Sequence, residues 1–278
     1  MPNKKNIISA CLVVYNEEQV IQTCLESIKG IVDEIIIIHD GECKDKTLEI
    51  AKKYTQKIFT LPHIGIAEPH RSFALNQAKG DWILQIDADE YLDTKDHRSV
   101  RGAVDSAPPE QDAFLFKWEM WDEKKPHYIA GVQKMCLFRK KNFSFIGIPQ
   151  EIGRVKGSVQ TTDFILHHRP AYNNLSWKNF LRKAKKWVPI HARYFFPQMV
   201  RYECFNTTPD SWVQYTHSVK KHMLFYIIFY PLKTLLAQLK NGLWRSLSGI
   251  NIGLQQFFYY LNLYWRVWKI KKYGYREN

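Results

Sequence analysis

The sequence predicts an α/β protein: a mostly parallel, mixed sheet followed by a helical C-terminal segment. Three observations predict it. Apolar runs alternate with helically spaced ones over about the first ninety residues, and polar residues collect where the apolar runs end. The last hundred or so residues then turn aromatic, basic and helical in pattern.

Residues 7–14 are an apolar, β-branched run of the kind that makes a strand buried on both faces. Val20, Ile21, Leu25 and Ile28 then recur at helical spacing, predicting a helix over 17–28 closed by Gly30. Four consecutive isoleucines within 34–39 mark a second buried strand. A helix is expected over 46–54, a strand over 56–60, a helix over 71–79 ending at Gly80, and a fourth strand over 82–86. Short links between alternating types mean βαβ units, whose ligands bind outside the carboxyl ends of the strands. Tyr15, Asn16, Glu17, Asp40, Asp87 and Asp89 all fall at those ends. Further strands over 113–118, 134–138 and 163–166 extend the sheet in mixed orientation and complete a front domain of residues 1–172.

Residues 173–278 read as helical. The apolar run 223–232 is interrupted by Pro231 and stopped by Lys233, whereas a membrane span needs about 20 apolar residues. In 254–269, Leu254, Phe257, Leu261, Trp265 and Trp268 share one face and Gln255, Asn262, Arg266 and Lys269 the opposite one. Lys269, Lys271, Lys272 and Arg276 gather at its end. Aromatic and basic residues together describe a helix lying in a membrane interface rather than crossing it. A helix packed on the front domain or on a second copy is the alternative.

With 278 residues, 45% of them hydrophobic and 24% charged, the chain is globular rather than disordered. Its five cysteines, Cys11, Cys24, Cys43, Cys136 and Cys204, are scattered and form no Cys-x-x-Cys pair. That argues for a reducing compartment and against a disulfide framework or zinc knuckle. The N-terminal apolar run is short and ends in Tyr15-Asn16-Glu17-Glu18, which does not suit a cleaved leader. The net charge of +13 is unevenly spread: residues 1–165 carry 22 Lys+Arg against 24 Asp+Glu, residues 166–278 carry 18 against 3. The basic tail therefore faces something anionic, a phospholipid surface or nucleic acid. Nucleic acid fits less well, because it would leave the aromatic face uncovered.

The fourth strand runs straight into Asp87-Ala88-Asp89-Glu90. Three carboxylates within four residues repel one another, and the tip of a buried strand holds them only when a cation or ligand compensates. Divalent Mg²⁺ or Mn²⁺ prefers such oxygens and commonly serves a phosphate. The cluster points to metal-assisted chemistry on a phosphorylated substrate; taken alone, a solvated turn is the plainer reading.

The order Val13-Val14-Tyr15-Asn16-Glu17-Glu18, Ile38-His39-Asp40-Gly41, Arg71, then Gly80-Asp81-Trp82-Ile83 leading to Asp87-Ala88-Asp89-Glu90 resembles inverting family 2 glycosyltransferases of the GT-A, Rossmann-like fold. Within that family it is similar to the branch holding bacterial lipopolysaccharide-core β-glucosyltransferases. The resemblance covers about residues 6–170. It implies that Tyr15 stacks on the donor base, that Asn16 and Glu17 line the nucleotide, that Asp40 accepts the pyrimidine N–H, and that Arg71 pairs with a carboxylate or the diphosphate. Asp87 would serve ribose or metal, and Asp89 the metal directly, with Glu90 behind them. The family usually continues with Ser-Gly-Ser or Asp-Gly-Ser after the second strand, where this chain has Glu42-Cys43-Lys44-Asp45.

Inversion requires a base that takes the acceptor hydroxyl proton while the leaving group departs from the opposite face. Related sequences carry Val-His-Glu after a glycine turn; here Gly147-Ile148-Pro149-Gln150-Glu151 keeps the glutamate, which makes Glu151 the expected base. Leu166-His167-His168 resembles the strand end that brings a histidine to the metal or diphosphate, a place His167 fits better than His168.

The expectation is a cytoplasmic enzyme, peripheral on the inner face of the cell membrane. It would move a sugar from a nucleotide-diphosphate donor, UDP-linked, to a lipid-linked or cell-envelope glycan, with a divalent Mn²⁺ or Mg²⁺ and no nucleic acid. Its tail, residues 173–278, would hold it on an anionic surface. The alternatives are a GDP-sugar or polyprenyl-phosphate transferase on the same fold, a basic membrane- or nucleic-acid-binding protein, and a non-catalytic scaffold.

Overall fold

The computed structural model describes residues 6–275. Its apolar runs become β1 (Ile8–Val14), β2 (Glu34–Asp40), β3 (Ile58–Leu61) and β4 (Trp82–Gln85), joined by α1 (Ile21–Ile28), α2 (Thr47–Ala51) and α3 (Glu68–Gln77). β1 is parallel to β2 on one side and β4 on the other, and β2 is parallel to β3. Alternation along β1 sends Ile8, Ala10, Leu12 and Val14 to the core shared with α1, and Cys11 to the core shared with Ala74 and Leu75 of α3. A strand buried on both faces has no polar side to show, which is why its sequence is continuously apolar.

The chain continues through β5 (Glu90–Tyr91), α4 (His97–Asp105), β6 (Gln111–Trp121), β7 (Pro126–Arg139), β8 (Phe143–Ser144), β9 (Arg154–Val155) and β10 (Ser158–His168). β7 pairs antiparallel with β4, β6 lies beside it, and β10 runs parallel to β6. The sheet order is β3-β2-β1-β4-β7-β6-β10-β5, mostly parallel around β1 and mixed beyond β4.

Several elements differ in length from the sequence reading. α1 starts at Ile21, because residues 17–20 make turns. α2 is short because Lys53 and Tyr54 donate to the carbonyls three residues back, tightening the last turn. β6, β7 and β10 outrun their apolar stretches, since apolar sequence marks only the buried part of a strand. α4 was not expected; only Val100 and Val104 of it enter the core.

Contacts divide the chain into two units. The first holds residues up to Glu119, Gln133–Pro170 and Glu203–Thr207; the second holds Met120–Val132, Ala171–Tyr202 and the chain from Thr208. The division near 170 lies close to the expected one at 172, but the tip of the β6–β7 hairpin goes with the second unit. Residues 203–207 go with the first because Phe205 is buried and exchanges two backbone hydrogen bonds, 3.0 and 2.7 Å, with Phe145.

The second unit contains α5 (Trp177–Arg193), α6 (Asp210–Lys221), α7 (Met223–Lys240) and α8 (Leu247–Tyr273). Val188, Phe195, Val219, Ile227, Leu263 and Val267 are among its core residues. Among the described residues no single helix is long and apolar enough to cross a membrane; α6 and α7 reach that composition only together, across a bend of 111°. α8 buries neither face as the sequence reading drew it: of the polar set only Gln255 is buried, while Asn262 and Lys269 stay exposed. Gln255, Tyr259, Leu263 and Val267 point inward, and Gln255 donates to the Leu175 carbonyl at 3.1 Å, while Leu254 and Trp265 are exposed. Arg276 and Glu277, counted in the basic tail, lie outside the described residues.

Candidate active site

Because β1, β2 and β4 are parallel neighbours, their carboxyl ends bring Tyr15, Asp40 and Asp87 to one edge of the sheet. β5 and β10 add a second source of side chains: their register sets His168 opposite Glu90 and His167 opposite Tyr91.

The acidic turn is neutralised in part by the chain itself. Arg71, from the first turns of α3, reaches Asp87 Oδ1 with Nη2 at 2.9 Å. Lys134, from β7, reaches Asp87 Oδ2 at 2.8 Å and the two Glu90 oxygens at 2.7 and 2.6 Å. Glu90 also accepts from Trp118 Nε1 at 2.8 Å and from the Asp87 backbone N–H at 2.9 Å. Burial alone would raise Asp87, but Lys134 and Arg71 outweigh it and hold the carboxyl well below the usual range. Burial would lower Lys134; Asp87 and Glu90 push it up instead. Glu90, the most deeply buried of the three, is held above its ordinary value by that burial, against the pull of Lys134.

Asp89 stands outside this network. Its Oδ2 is 3.3 Å from His168 Nε2, and the His168 ring stacks on Trp118 at 4.9 Å. His167 points the other way, as consecutive strand residues must. Its Nδ1 is 2.8 Å from Glu119 Oε2, its Nε2 3.4 Å from Asp93, and its ring stacks on Tyr91 at 4.7 Å. Glu119 is buried and also paired with Arg169. The structure therefore brings His168, not His167, to Asp89.

Among the described residues no group of three or more His, Cys, Asp or Glu side chains is placed to hold a metal ion. The Asp89 oxygen and His168 nitrogen nevertheless fit a Mg²⁺- or Mn²⁺-type ion, which takes one or two protein ligands and fills its remaining positions with phosphate oxygens and water. Arg71 Nε, buried and without a hydrogen-bond partner among the described residues, is a donor in want of an acceptor beside the same turn. Glu17 belongs to this field: burial first, then Asp89, Asp87 and Asp45, push its carboxyl up to about 7.

At the ends of β1 and β2 the contacts are of another kind. Tyr15 is 39% exposed, with its ring 4.7 Å from that of His63. Asn16 adopts φ +53°, its Oδ1 accepts from the Lys44 N–H at 2.8 Å, and Glu17 N–H donates to Thr47 Oγ1 at 2.6 Å. The unusual 42–45 loop is thereby tied to the β1–α1 turn. Asp40 accepts from the backbone N–H groups of Ile64 and Gly65 at 2.6 and 2.9 Å and from His70 Nε2 at 2.9 Å, with His63 Nδ1 3.0 Å away. Burial would raise it, but His70 and the two backbone donors hold it below the ordinary range. Asp40 pins the loop that carries His63.

Glu151 closes its own loop. Its carboxylate accepts from Ile146 at 2.9 and 3.0 Å, from Gly147 at 2.9 Å and from Ile148 at 3.4 Å. Burial dominates and pushes the carboxyl up, against those donors. The loop is tight: Gly147 has φ +79°, and a Cβ there would meet the Glu203 carbonyl at 2.6 Å. Gln150 N–H donates to Glu68 of α3 at 3.0 Å, so the Glu151 loop and Arg71 share one helix as support.

Sequence reasoning missed Lys134, Trp118, His63 and His168's contact with Asp89. One signal was available: period-two alternation back from the buried Cys136 sets Lys134 on the same side of β7, and a lysine there needs a carboxylate.

A mostly parallel, mixed α/β sheet with an acidic turn after its fourth strand and an aromatic residue after its first is the GT-A type of fold. The chain matches the family described as Glycosyl transferase family 2 over residues 9–206, and it belongs to that family. An uncharacterized glycosyltransferase of Rickettsia bellii (strain RML369-C) is 42% identical over 85 residues, 31% of this chain and 28% of that protein. One from Rickettsia felis (strain ATCC VR-1525 / URRWXCal2) is 33% identical over 144 residues, 50% of each. The matched stretch thus spans half or less of the curated relatives' length. Among solved structures, S. aureus TarS 1-349 in complex with UDP-GlcNAc aligns with a TM-score of 0.49 and 13% identity, covering 98% of this chain and 93% of that one.

Proposed function

We propose that the protein transfers a sugar, with inversion, from a UDP-linked donor to a lipid-linked or cell-envelope glycan acceptor at the cytoplasmic face of a membrane; a lipopolysaccharide-core acceptor suits the sequence resemblance. The observation that carries the reading is the split of the acidic turn. Asp87 and Glu90 are neutralised by Arg71 and Lys134, Asp89 is set apart with His168, and Arg71 keeps a buried Nε–H without a partner among the described residues.

Each group then has a task. Tyr15 and His63 form an aromatic shelf for the donor base, with Asp40 fixing the loop beneath it. Asn16 and Glu17 hold the turn that follows the shelf. Arg71 donates Nε–H to a diphosphate oxygen, a contact that strengthens as the leaving group gains charge. Asp89 and His168 would hold a Mn²⁺ or Mg²⁺, which supplies Lewis-acid stabilisation of the departing nucleoside diphosphate. Glu151 takes the proton of the acceptor hydroxyl as that oxygen bonds to the anomeric carbon and the bond to the diphosphate breaks. The burial that raises its carboxyl makes the ionised form a stronger base.

A melting-temperature screen of UDP- and GDP-sugars with and without Mn²⁺ tests the reading. The expected result is a shift with one UDP-sugar that needs the metal and vanishes in Asp89→Ala. A shift with GDP-sugars alone would move the assignment to the other donor class, and no shift with any donor would end the transferase reading.

A further inference from the structure

At the elbow where α6 meets α7, His222 leaves helical geometry with φ −112° and ψ 42°, and the bend opens a cavity of about 540 Å³. Lys220, Lys221, Lys271 and Lys272 line it together with Phe225 and Trp268, and no lining residue carries a carboxyl group. Two of the lysines are anchored: Lys220 Nζ donates to the Phe195 carbonyl at 3.0 Å and Lys271 Nζ to the Lys220 carbonyl at 2.6 Å. Lys272 Nζ lies 5.1 Å over the Trp268 ring. Four lysines line one cavity with no carboxylate among them, a concentration of positive charge that a multivalent anion would offset.

The apolar wall limits what that anion can be. α7 buries Met223, Ile227 and Pro231 and packs Tyr226 and Tyr230 partly against the core, but one stripe of its apolar surface is open. Leu224, Ile228, Leu232 and Leu236, spaced by one helical turn, are 73%, 57%, 43% and 58% exposed. The stripe begins at the cavity mouth and runs away from it along the helix. Such a patch needs an apolar cover, which neither free phosphate nor nucleic acid supplies.

We propose that the α6–α7 elbow is a phosphate-headgroup site that seats the exposed face of α7 in the interface of an anionic membrane. The proposal rests on the membrane-facing part of the reading above and gives it a location and a ligand chemistry. The charge of residues 166–278, 18 Lys+Arg against 3 Asp+Glu, is of the complementary sign.

The test is co-sedimentation of the full chain with vesicles of phosphatidylcholine, alone and mixed with phosphatidic acid. Native protein should bind the mixed vesicles, and Lys221→Gln/Lys272→Gln should weaken that binding about 30-fold, at roughly 1 kcal/mol per basic residue near an anionic surface. Lys178→Gln/Lys185→Gln, an equal charge change on exposed residues of α5, should leave it near the native value. Ile228→Glu should abolish vesicle binding while retaining the melting shift given by soluble dihexanoyl phosphatidic acid. Equal weakening by the two lysine pairs would overturn the headgroup site and leave general membrane attraction standing. Failure of native protein to bind any anionic vesicle would overturn both. Inorganic phosphate or an oligonucleotide binding the elbow as tightly as phosphatidic acid would overturn the lipid assignment. The donor-induced melting shift, measured on the same samples, reports folding and judges the transferase reading separately.

Discussion

Lys134 Nζ lies 2.8 Å from Asp87 Oδ2, bridging it to Glu90 across 47 residues of sequence. A lysine thus sits where the acidic turn alone would have called for a metal. It divides three adjacent carboxylates into two that are paired internally and one, Asp89, that is paired with a histidine.

Removing that lysine should expose the division. Lys134→Met leaves Asp87 and Glu90 with less compensation in a buried place, and stability should fall by about 3 kcal/mol in chemical denaturation. Adding Glu90→Gln should recover part of the loss. A single variant that unfolds at the native midpoint would show the ion pair to be unimportant.

The two histidines should behave differently. His168→Ala should remove the Mn²⁺-dependent part of the donor-induced melting shift, because its Nε2 is the nitrogen near Asp89. His167→Ala should keep that part and lower the melting temperature, since it leaves the buried Glu119 with one partner fewer. The reverse pattern would return the metal to His167.

Glu17 should write its charge into the pH dependence. Its folded carboxyl is raised to about 7, against about 4.3 in the unfolded chain. The folded form therefore binds the proton more tightly: its contribution to stability is fully present below the unfolded value and is lost as pH rises towards about 7. Glu17→Gln should flatten that part of the stability curve. An unchanged slope between about pH 5 and 7 would place the Glu17 pKa elsewhere.

Glu151→Gln separates catalysis from loop support. If the carboxylate is the base, kcat should fall by about 100-fold or more while the donor-induced melting shift survives. Because the carboxylate also accepts from three backbone N–H groups, a modest drop in melting temperature should accompany it. Native kcat in this variant would leave Glu151 a purely structural residue.

The βαβ half of the fold was legible because burial on both faces forces continuous apolar strands, and the four early strands lie within a few residues of where the sequence put them. The site's outline was legible too, since parallel strands present their carboxyl ends together. Asp40 shows where legibility stopped. Its place at the end of β2 was readable, but four donors from residues 63–70 now engage its oxygens, and no local pattern announced them. α8 shows the same limit on a helix. Apolar residues such as Tyr259, Leu263 and Val267 lie outside the stripe the spacing picked out, so spacing alone does not say which side the neighbours cover, and Gln255 is buried with them, donating to the Leu175 carbonyl.

Sequence by itself determined the family, the parallel centre of the sheet and the presence of a carboxylate-rich turn after the fourth strand, all set by local pattern and chain order. Tertiary structure alone decided how that turn is neutralised. Arg71 and Lys134 stand 16 and 47 residues from Asp87, and His168 comes back on β10, beside β5. Charge compensation falls off with distance through space, not along the chain, so only the folded arrangement could assign each carboxylate its partner.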